Sequence, residues 1–197
     1  MKIVVASNNS GKLGEFQSIL ADSAFQLLLP KDLGYYLEVD EVGSTYAENA
    51  RLKAVAHAQK AGLLAMADDS GLEVDALGGA PGLYSARYHP TAGANDADRR
   101  SFLLQNLQAF PRPWLAHFHC TIALADPSGQ VWYAEGNCPG EIIPLELGDN
   151  GFGYDPIFWL PTLGRTMAQL TMEEKNQLSH RALAVQAALP FLKTFNQ

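Results

Sequence analysis

Apolar residues fall in short blocks along the chain, and the spacing inside each block predicts alternating strands and helices. Lys2 to Ala6 predicts a strand, and the polar turn Ser7-Asn8-Asn9-Ser10-Gly11 separates it from a helix whose Leu13, Phe16 and Leu20 share one face. Thr45-Tyr46-Ala47-Glu48 has the capping-box pattern, so a second helix is expected through Arg51-Leu52-Lys53 to a stop at Gly62. Leu63-Leu64-Ala65-Met66-Ala67 then reads as a buried strand closed by Asp68 and Asp69. Leu77 to Ser85 is a Gly/Pro-rich loop, and Asp98 to Gln108 carries helical spacing at Phe102, Leu103 and Leu107. His117 to Ala125 and Gln130 to Glu135 flank Asp126-Pro127-Ser128-Gly129, an antiparallel hairpin signal. Gly151-Phe152-Gly153-Tyr154-Asp155-Pro156 is a constrained turn before Ile157-Phe158-Trp159. A second capping box, Thr171-Met172-Glu173-Glu174, opens a helix or helix pair that carries Lys175, Ser179, His180 and Arg181 and continues to Pro190.

The chain has 197 residues, 47% hydrophobic and 18% charged, which suits one globular domain, residues 1–197, with room for two lobes. No repeats or low-complexity tracts interrupt it. A net charge of -7 argues against a protein that gathers nucleic acid by neutralising phosphates, so cations that bind phosphate must be concentrated locally. Cys120 and Cys138 lack metal-binding spacing and read as reduced thiols of a cytoplasmic protein, with a disulfide between them as the alternative. The first residues turn polar too soon for a signal peptide, and no apolar run is long enough to span a membrane.

The paired acids Asp68 and Asp69 point to chemistry, since a buried carboxylate requires a cation, a proton or basic side chains beside it. Magnesium fits such hard oxygen ligands, and Glu38, Asp40 or Glu41 can add another oxygen. Ser7 to Lys12 joins a strand end to a helix start, where free backbone N–H groups and the dipole favour phosphate. It departs from a Walker A loop, having Ala6 where that motif needs Gly and Leu13 where it needs Ser or Thr. Lys53, Lys175 and Arg181 are further cations for phosphate or simply solvated charges. His180 can donate to a base, and Phe152 and Tyr154 can stack on an aromatic ligand or merely pack a turn.

Six segments in order, Ser7-Asn8-Asn9-Ser10-Gly11-Lys12, Thr45-x-x-Glu48-Asn49-Ala50, Ala67-Asp68-Asp69-Ser70-Gly71-Leu72, Gly78 to Arg87, Phe152-Gly153-Tyr154-Asp155-Pro156, and Glu174-Lys175-Asn176 with Ser179-His180-Arg181, resemble the inosine triphosphate pyrophosphatase family. The chain departs from the usual pattern at Gly14, where a longer side chain is common, and at Tyr46, where Phe is. The resemblance implies an elongated, curved mixed α/β sheet flanked by helices, two lobes around a nucleotide-binding cleft, and a homodimer. It implies magnesium-dependent hydrolysis of purine nucleoside triphosphates bearing hypoxanthine or xanthine to monophosphate and pyrophosphate, clearing deaminated purines from the nucleotide pool. By the same resemblance Asp69 is the catalytic carboxylate, and Glu41, Asp69 and Asp68 are the metal acids. Ser7, Asn8, Asn9, Ser10, Gly11, Lys12, Lys53, Ser70, Gly153, Tyr154 and Lys175 contact substrate, Phe152 stacks on the purine, Asp155 faces its ring nitrogens, and His180 and Arg181 read the six-position oxygen. A pyrimidine-preferring pyrophosphatase, a nucleotide sensor without hydrolysis and an orthophosphate-releasing phosphatase are the rival readings.

Overall fold

The computed structural model describes residues 1–21 and 23–195. Its strands are β1 (Lys2–Val5), β2 (Gln26–Leu28), β3 (Leu64–Val74), β4 (Trp114–Ala125), β5 (Val131–Ile142), β6 (Phe158–Leu160) and β7 (Arg165–Thr166). Its α-helices are α1 (Ser10–Ile19), α2 (Tyr46–Ala61), α3 (Asp96–Leu107), α4 (Met172–Leu178) and α5 (His180–Thr194). The seven strands form one mixed sheet in the order β2-β1-β3-β4-β5-β6-β7. β1 lies parallel to β2 and β3, whereas β6 is antiparallel to β5 and β7. The expected mixed α/β class is therefore found.

The chain divides into two compact units, one made of Met1–Asp69, Cys120–Gly136 and His180–Gln197, the other of Ser70–His119 and Asn137–Ser179. In the first, strand alternation sorts residues by size. Ile3, Val5, Leu64, Met66, Ile122 and Leu124 pack with Phe16 and Leu20 of α1 and with Val185, Ala188 and Leu192 of α5. Their neighbours Val4, Ala6, Ala65, Ala67, Ala123 and Ala125 face the other way, onto Ala50, Ala54 and Ala58 of α2. Those three alanines recur every fourth position, one helical stripe, so α2 lies on the sheet through small side chains. In the second unit, Leu72, Val74, Leu103, Leu107, Phe118, Ile142, Ile157 and Phe158 make the core.

Local signals at helix ends held. Thr45 Oγ1 accepts from the Glu48 N–H at 3.1 Å, and Gly62 stops α2 in the left-handed region, φ 66°. The reciprocal half of that box is displaced by one residue, because the Glu48 carboxylate takes the Ser44 N–H at 2.6 Å and hydroxyl at 2.8 Å. The Thr171 box is complete, with Glu174 accepting from the Thr171 N–H at 2.9 Å, and a helix pair follows it. Two boundaries need correction. α5 runs through Pro190 to Thr194 because Leu192 is buried and Phe195 packs on Trp132, so burial overrides the missing N–H. β3 does not end at the acids but continues through them to Val74, as Leu72 and Val74 supply further core contacts. Both cysteines are free and buried, and burial pushes their thiols up to about 12.

Candidate active site

Because β3 runs straight through Asp68 and Asp69, its two-residue period sends these neighbours to opposite faces. Asp68 shares the face of Leu64 and Met66, toward α1 and α5, and Asp69 shares the face of Ala65 and Ala67, toward α2. Their partners agree with that parity. Asp68 Oδ2 pairs with Lys12 Nζ of α1 at 2.9 Å and accepts from Arg181 of α5, Nε at 3.3 Å and Nη2 at 3.1 Å. Asp69 Oδ2 accepts from Asn49 Nδ2 of α2 at 3.1 Å, and Asp69 Oδ1 lies 3.6 Å from Lys53 Nζ.

The electrostatics of the two acids differ accordingly. Burial opposes the Asp68 charge, but Lys12, Arg181 and Lys53 outweigh it and hold the carboxyl well below the usual range. Asp69 goes the other way, as burial raises it and the charge of Glu41 adds to that, against the pull of Lys53 and Lys12. A carboxylate raised in this way is a better proton acceptor. For Lys53, burial works against the charge, yet Asp68, Asp69 and Glu41 overcome it and keep the ammonium protonated. Lys53 also holds Glu41 Oε1 at 2.6 Å, so one nitrogen gathers two carboxylates from distant segments.

Other expected residues fall as follows. Asn9 caps α1, its Oδ1 accepting from the Lys12 N–H at 3.1 Å, and Ser7 Oγ accepts from the Asn9 N–H at 3.3 Å. Asn8 and Ser10 are exposed beside them and Gly11 is half-buried, so the turn stands at the positive end of α1. His180 opens α5 and is buried, as is Arg181, whose guanidinium is 1% exposed and also pairs with Glu15. In the second unit, Ser70 is half-buried in β3. Asp155 Oδ2 accepts from the Phe152 N–H at 3.0 Å and pairs with Lys175 Nζ at 2.7 Å, and that ammonium lies 5.3 Å from the Phe152 ring centre. The Gly153 N–H donates to Asp96 at 2.8 Å and its carbonyl accepts from Arg100 at 2.8 Å, which fastens this turn to α3. Tyr154 is a core residue whose hydroxyl donates to the Ser85 carbonyl at 2.9 Å.

Four residues to which the sequence alone assigns no role belong to these clusters. Glu15 is buried on α1 beside Phe16, one turn from Lys12, and a charge on a helix's buried face is the signal that marks it. Asn49 precedes Lys53 by one turn, so the two necessarily share a face of α2. Asp96 and Arg100 stand one turn apart in the same way on α3.

The donors around Lys53 are hard oxygens of the kind a magnesium ion takes. Among the described residues no group of three or more His, Cys, Asp or Glu side chains is gathered as a metal cage. Two hard carboxylates, Glu41 and Asp69, nonetheless converge on one cationic nitrogen. Magnesium commonly binds through one or two carboxylates and fills its remaining positions with water and phosphate oxygens, so these residues fit it.

Fold and site together define a mixed α/β protein that gathers lysines and carboxylates around one buried strand. Residues 3–191 match the Ham1 family, and the chain belongs to that family. It is 45% identical over 195 residues to the dITP/XTP pyrophosphatase of Desulforamulus reducens, across 98% of this chain and 96% of that relative. It is 47% identical over 190 residues to the dITP/XTP pyrophosphatase of a Nostoc species, across 95% and 92% of the two chains. A Ham1 protein from Coxiella burnetii superimposes with a TM-score of 0.88 at 41% identity, and the Staphylococcus aureus Ham1 protein with 0.85 at 42%, each covering 98% of this chain and 99% of its own. The family resemblance carried by the six motifs is thereby borne out. Among the described residues no helix is long and apolar enough to cross a membrane.

Proposed function

We propose that the chain hydrolyses deoxyinosine, inosine and xanthosine triphosphates to the monophosphate and pyrophosphate, with magnesium as cofactor, and so removes deaminated purines from the nucleotide pool. The observation that carries this reading is the convergence of Asp69, Glu41 and Lys53 on the α2 side of β3, in a chain that aligns end to end with enzymes named dITP/XTP pyrophosphatase.

Asp69 accepts the proton of the attacking water or orients it, and its raised basicity suits that task. Lys12 and Lys53 supply positive charge against the phosphates and the leaving pyrophosphate, while the N–H groups of the Ser7–Gly11 turn add the α1 dipole. Magnesium, held by Glu41 and Asp69 with Asp68 behind them, would neutralise phosphate charge when bound. Asp68, locked between Lys12 and Arg181, acts chiefly by fixing those two cations. Phe152, whose ring already faces an ammonium, stacks on the purine. His180 donates to the six-position oxygen of hypoxanthine or xanthine, where adenine presents a donor instead, whereas the Arg181 guanidinium is 1% exposed and already engages Asp68 and Glu15, which favours His180 over Arg181 for that contact. A donor left facing a donor is unpaired, and such mismatches support discrimination on the order of 10⁴-fold. The same resemblance carries the expectation of a cytoplasmic homodimer.

The test is incubation of the purified protein with magnesium and, separately, deoxyinosine, xanthosine, deoxyguanosine, adenosine and thymidine triphosphates, measuring pyrophosphate and monophosphate. Preference for the first two, lost on chelation and restored by magnesium, is expected. Orthophosphate release, pyrimidine preference or binding without turnover refutes the reading.

A further inference from the structure

The Asn49 side chain is 2% exposed and its amide orientation is set by what surrounds it. The Gly43 N–H can only donate, so the atom 2.8 Å from it is the carbonyl oxygen Oδ1, and the NH₂ is therefore turned toward Asp69 Oδ2 at 3.1 Å. Helix α2 does not need this side chain for its own start, since Thr45 caps it and the Asn49 N–H already donates to the Thr45 carbonyl at 3.1 Å. Gly43 meets the amide so closely that a Cβ there would lie 2.7 Å from Asn49 Oδ1 and 2.6 Å from Glu48 Cβ. One amide thus ties two things together: the carboxylate of Asp69, and the backbone two residues beyond Glu41. On its far side Asp69 Oδ1 faces Lys53, four residues on from Asn49 along the same helix face.

We infer that Asn49 is a positioning residue for hydrolysis: its NH₂ fixes the rotation of the Asp69 carboxylate, and its carbonyl oxygen fixes the segment that presents Glu41. This inference rests on the reading of Asp69 as the catalytic acid. Loss of a hydrogen-bonding partner behind a catalytic or metal-binding group typically costs 10–100-fold in activity, and the cost here is expected in kcat rather than in nucleotide affinity.

Two substitutions separate the two halves of the amide. Asn49→Asp keeps an acceptor for the Gly43 N–H but sets an oxygen against Asp69, whereas Asn49→Ala removes both contacts. Kinetics on deoxyinosine triphosphate, thermal unfolding and hydrogen exchange at the Gly43 amide are measured on both variants. The expected result is a fall in kcat of about 10–100-fold in each with KM little changed, and Gly43 protection kept in Asn49→Asp but lost in Asn49→Ala. Wild-type kcat in Asn49→Asp overturns the proposal, as does parallel loss of folding and affinity in that variant, which would make the amide merely structural. If Asn49→Ala does not fold, Asn49→Asp decides alone. A wild-type protein that releases no pyrophosphate refutes the functional reading instead, and Gly43 exchange still reports whether the amide holds its segment.

Discussion

Removing the guanidinium of Arg181 is the most exacting test of how β3 tolerates an acid in its interior. Arg181 and its partners Asp68 and Glu15 have side chains only 1%, 1% and 4% exposed, so the cluster is cut off from water. Arg181→Met replaces the guanidinium with an apolar chain of similar length and leaves two carboxylates in an apolar setting beside Phe16 and Cys120. Asp68 retains Lys12 at 2.9 Å, so the Arg181–Glu15 pair is isolated by comparison with Glu15→Gln. Breaking a buried pair by deleting one partner costs about 3–5 kcal/mol, because the survivor keeps its desolvation penalty. For a chain of this size that corresponds to a fall in Tm of roughly 6–20 °C.

The measurement is equilibrium unfolding of wild type, Arg181→Met, Glu15→Gln and the double variant, followed by circular dichroism. If the Glu15 charge is what the guanidinium compensates, the double variant is more stable than the two single losses added together, with a coupling of about 0.5–3 kcal/mol. Arg181→Lys is expected to fall between, since an ammonium lacks the planar fork that serves two carboxylates. A loss below about 1 kcal/mol for Arg181→Met, the range of exposed pairs, refutes the reasoning, and so does strict additivity with Glu15→Gln.

Asp69→Asn is expected to abolish turnover while nucleotide binding, read by calorimetry, is largely retained; wild-type turnover removes Asp69 from the catalytic role. Ala54→Leu forces a branched side chain into the alanine seam between α2 and the sheet and is expected to cost about 1–3 kcal/mol of unfolding free energy, and an unchanged midpoint contradicts close packing there. His57 is buried and shares a 3.1 Å hydrogen bond with Tyr35, and burial lowers its pKa from the ordinary 6.5. Above pH 6.5 it is neutral in both folded and unfolded chains, so its contribution is full; below that, the unfolded chain takes up a proton the fold resists, and stability falls until the lowered folded value is passed. Replacing it, as His57→Gln, should flatten the decline of stability as the pH falls below 6.5, and an identical slope in the variant shows that His57 does not titrate in this way.

Much of the helical framework was legible because its signals are local: Thr45, Gly62 and Thr171 act within four residues of themselves, and any segment with that pattern meets the same N–H groups and the same positive φ. The continuation of β3 past the acids is not legible locally, for the opposite reason. A charged pair at the end of an apolar run looks like a strand terminus because the compensating charge is remote, Arg181 lying 113 residues along the chain from Asp68. Glu15 is illegible on the same ground, since its partner Arg181 is 166 residues away. Part of the answer was nevertheless written locally. Leu64 and Met66 alternate with Ala65 and Ala67, and carrying that alternation two residues further assigns Asp68 to the large-residue face and Asp69 to the alanine face. Once the acids are on opposite faces, they cannot act as one paired-carboxylate centre of equivalent groups. The face packed by α1 and α5 gives Asp68 a cationic cage that keeps it ionised, while the thin alanine face lets α2 bring Asn49 and Lys53 against Asp69 and leaves that acid the more basic of the two. The small side chains of α2 are thus part of the chemistry: a bulkier seam would hold Asn49 and Lys53 away from Asp69, and the division of labour between the neighbouring acids would be lost.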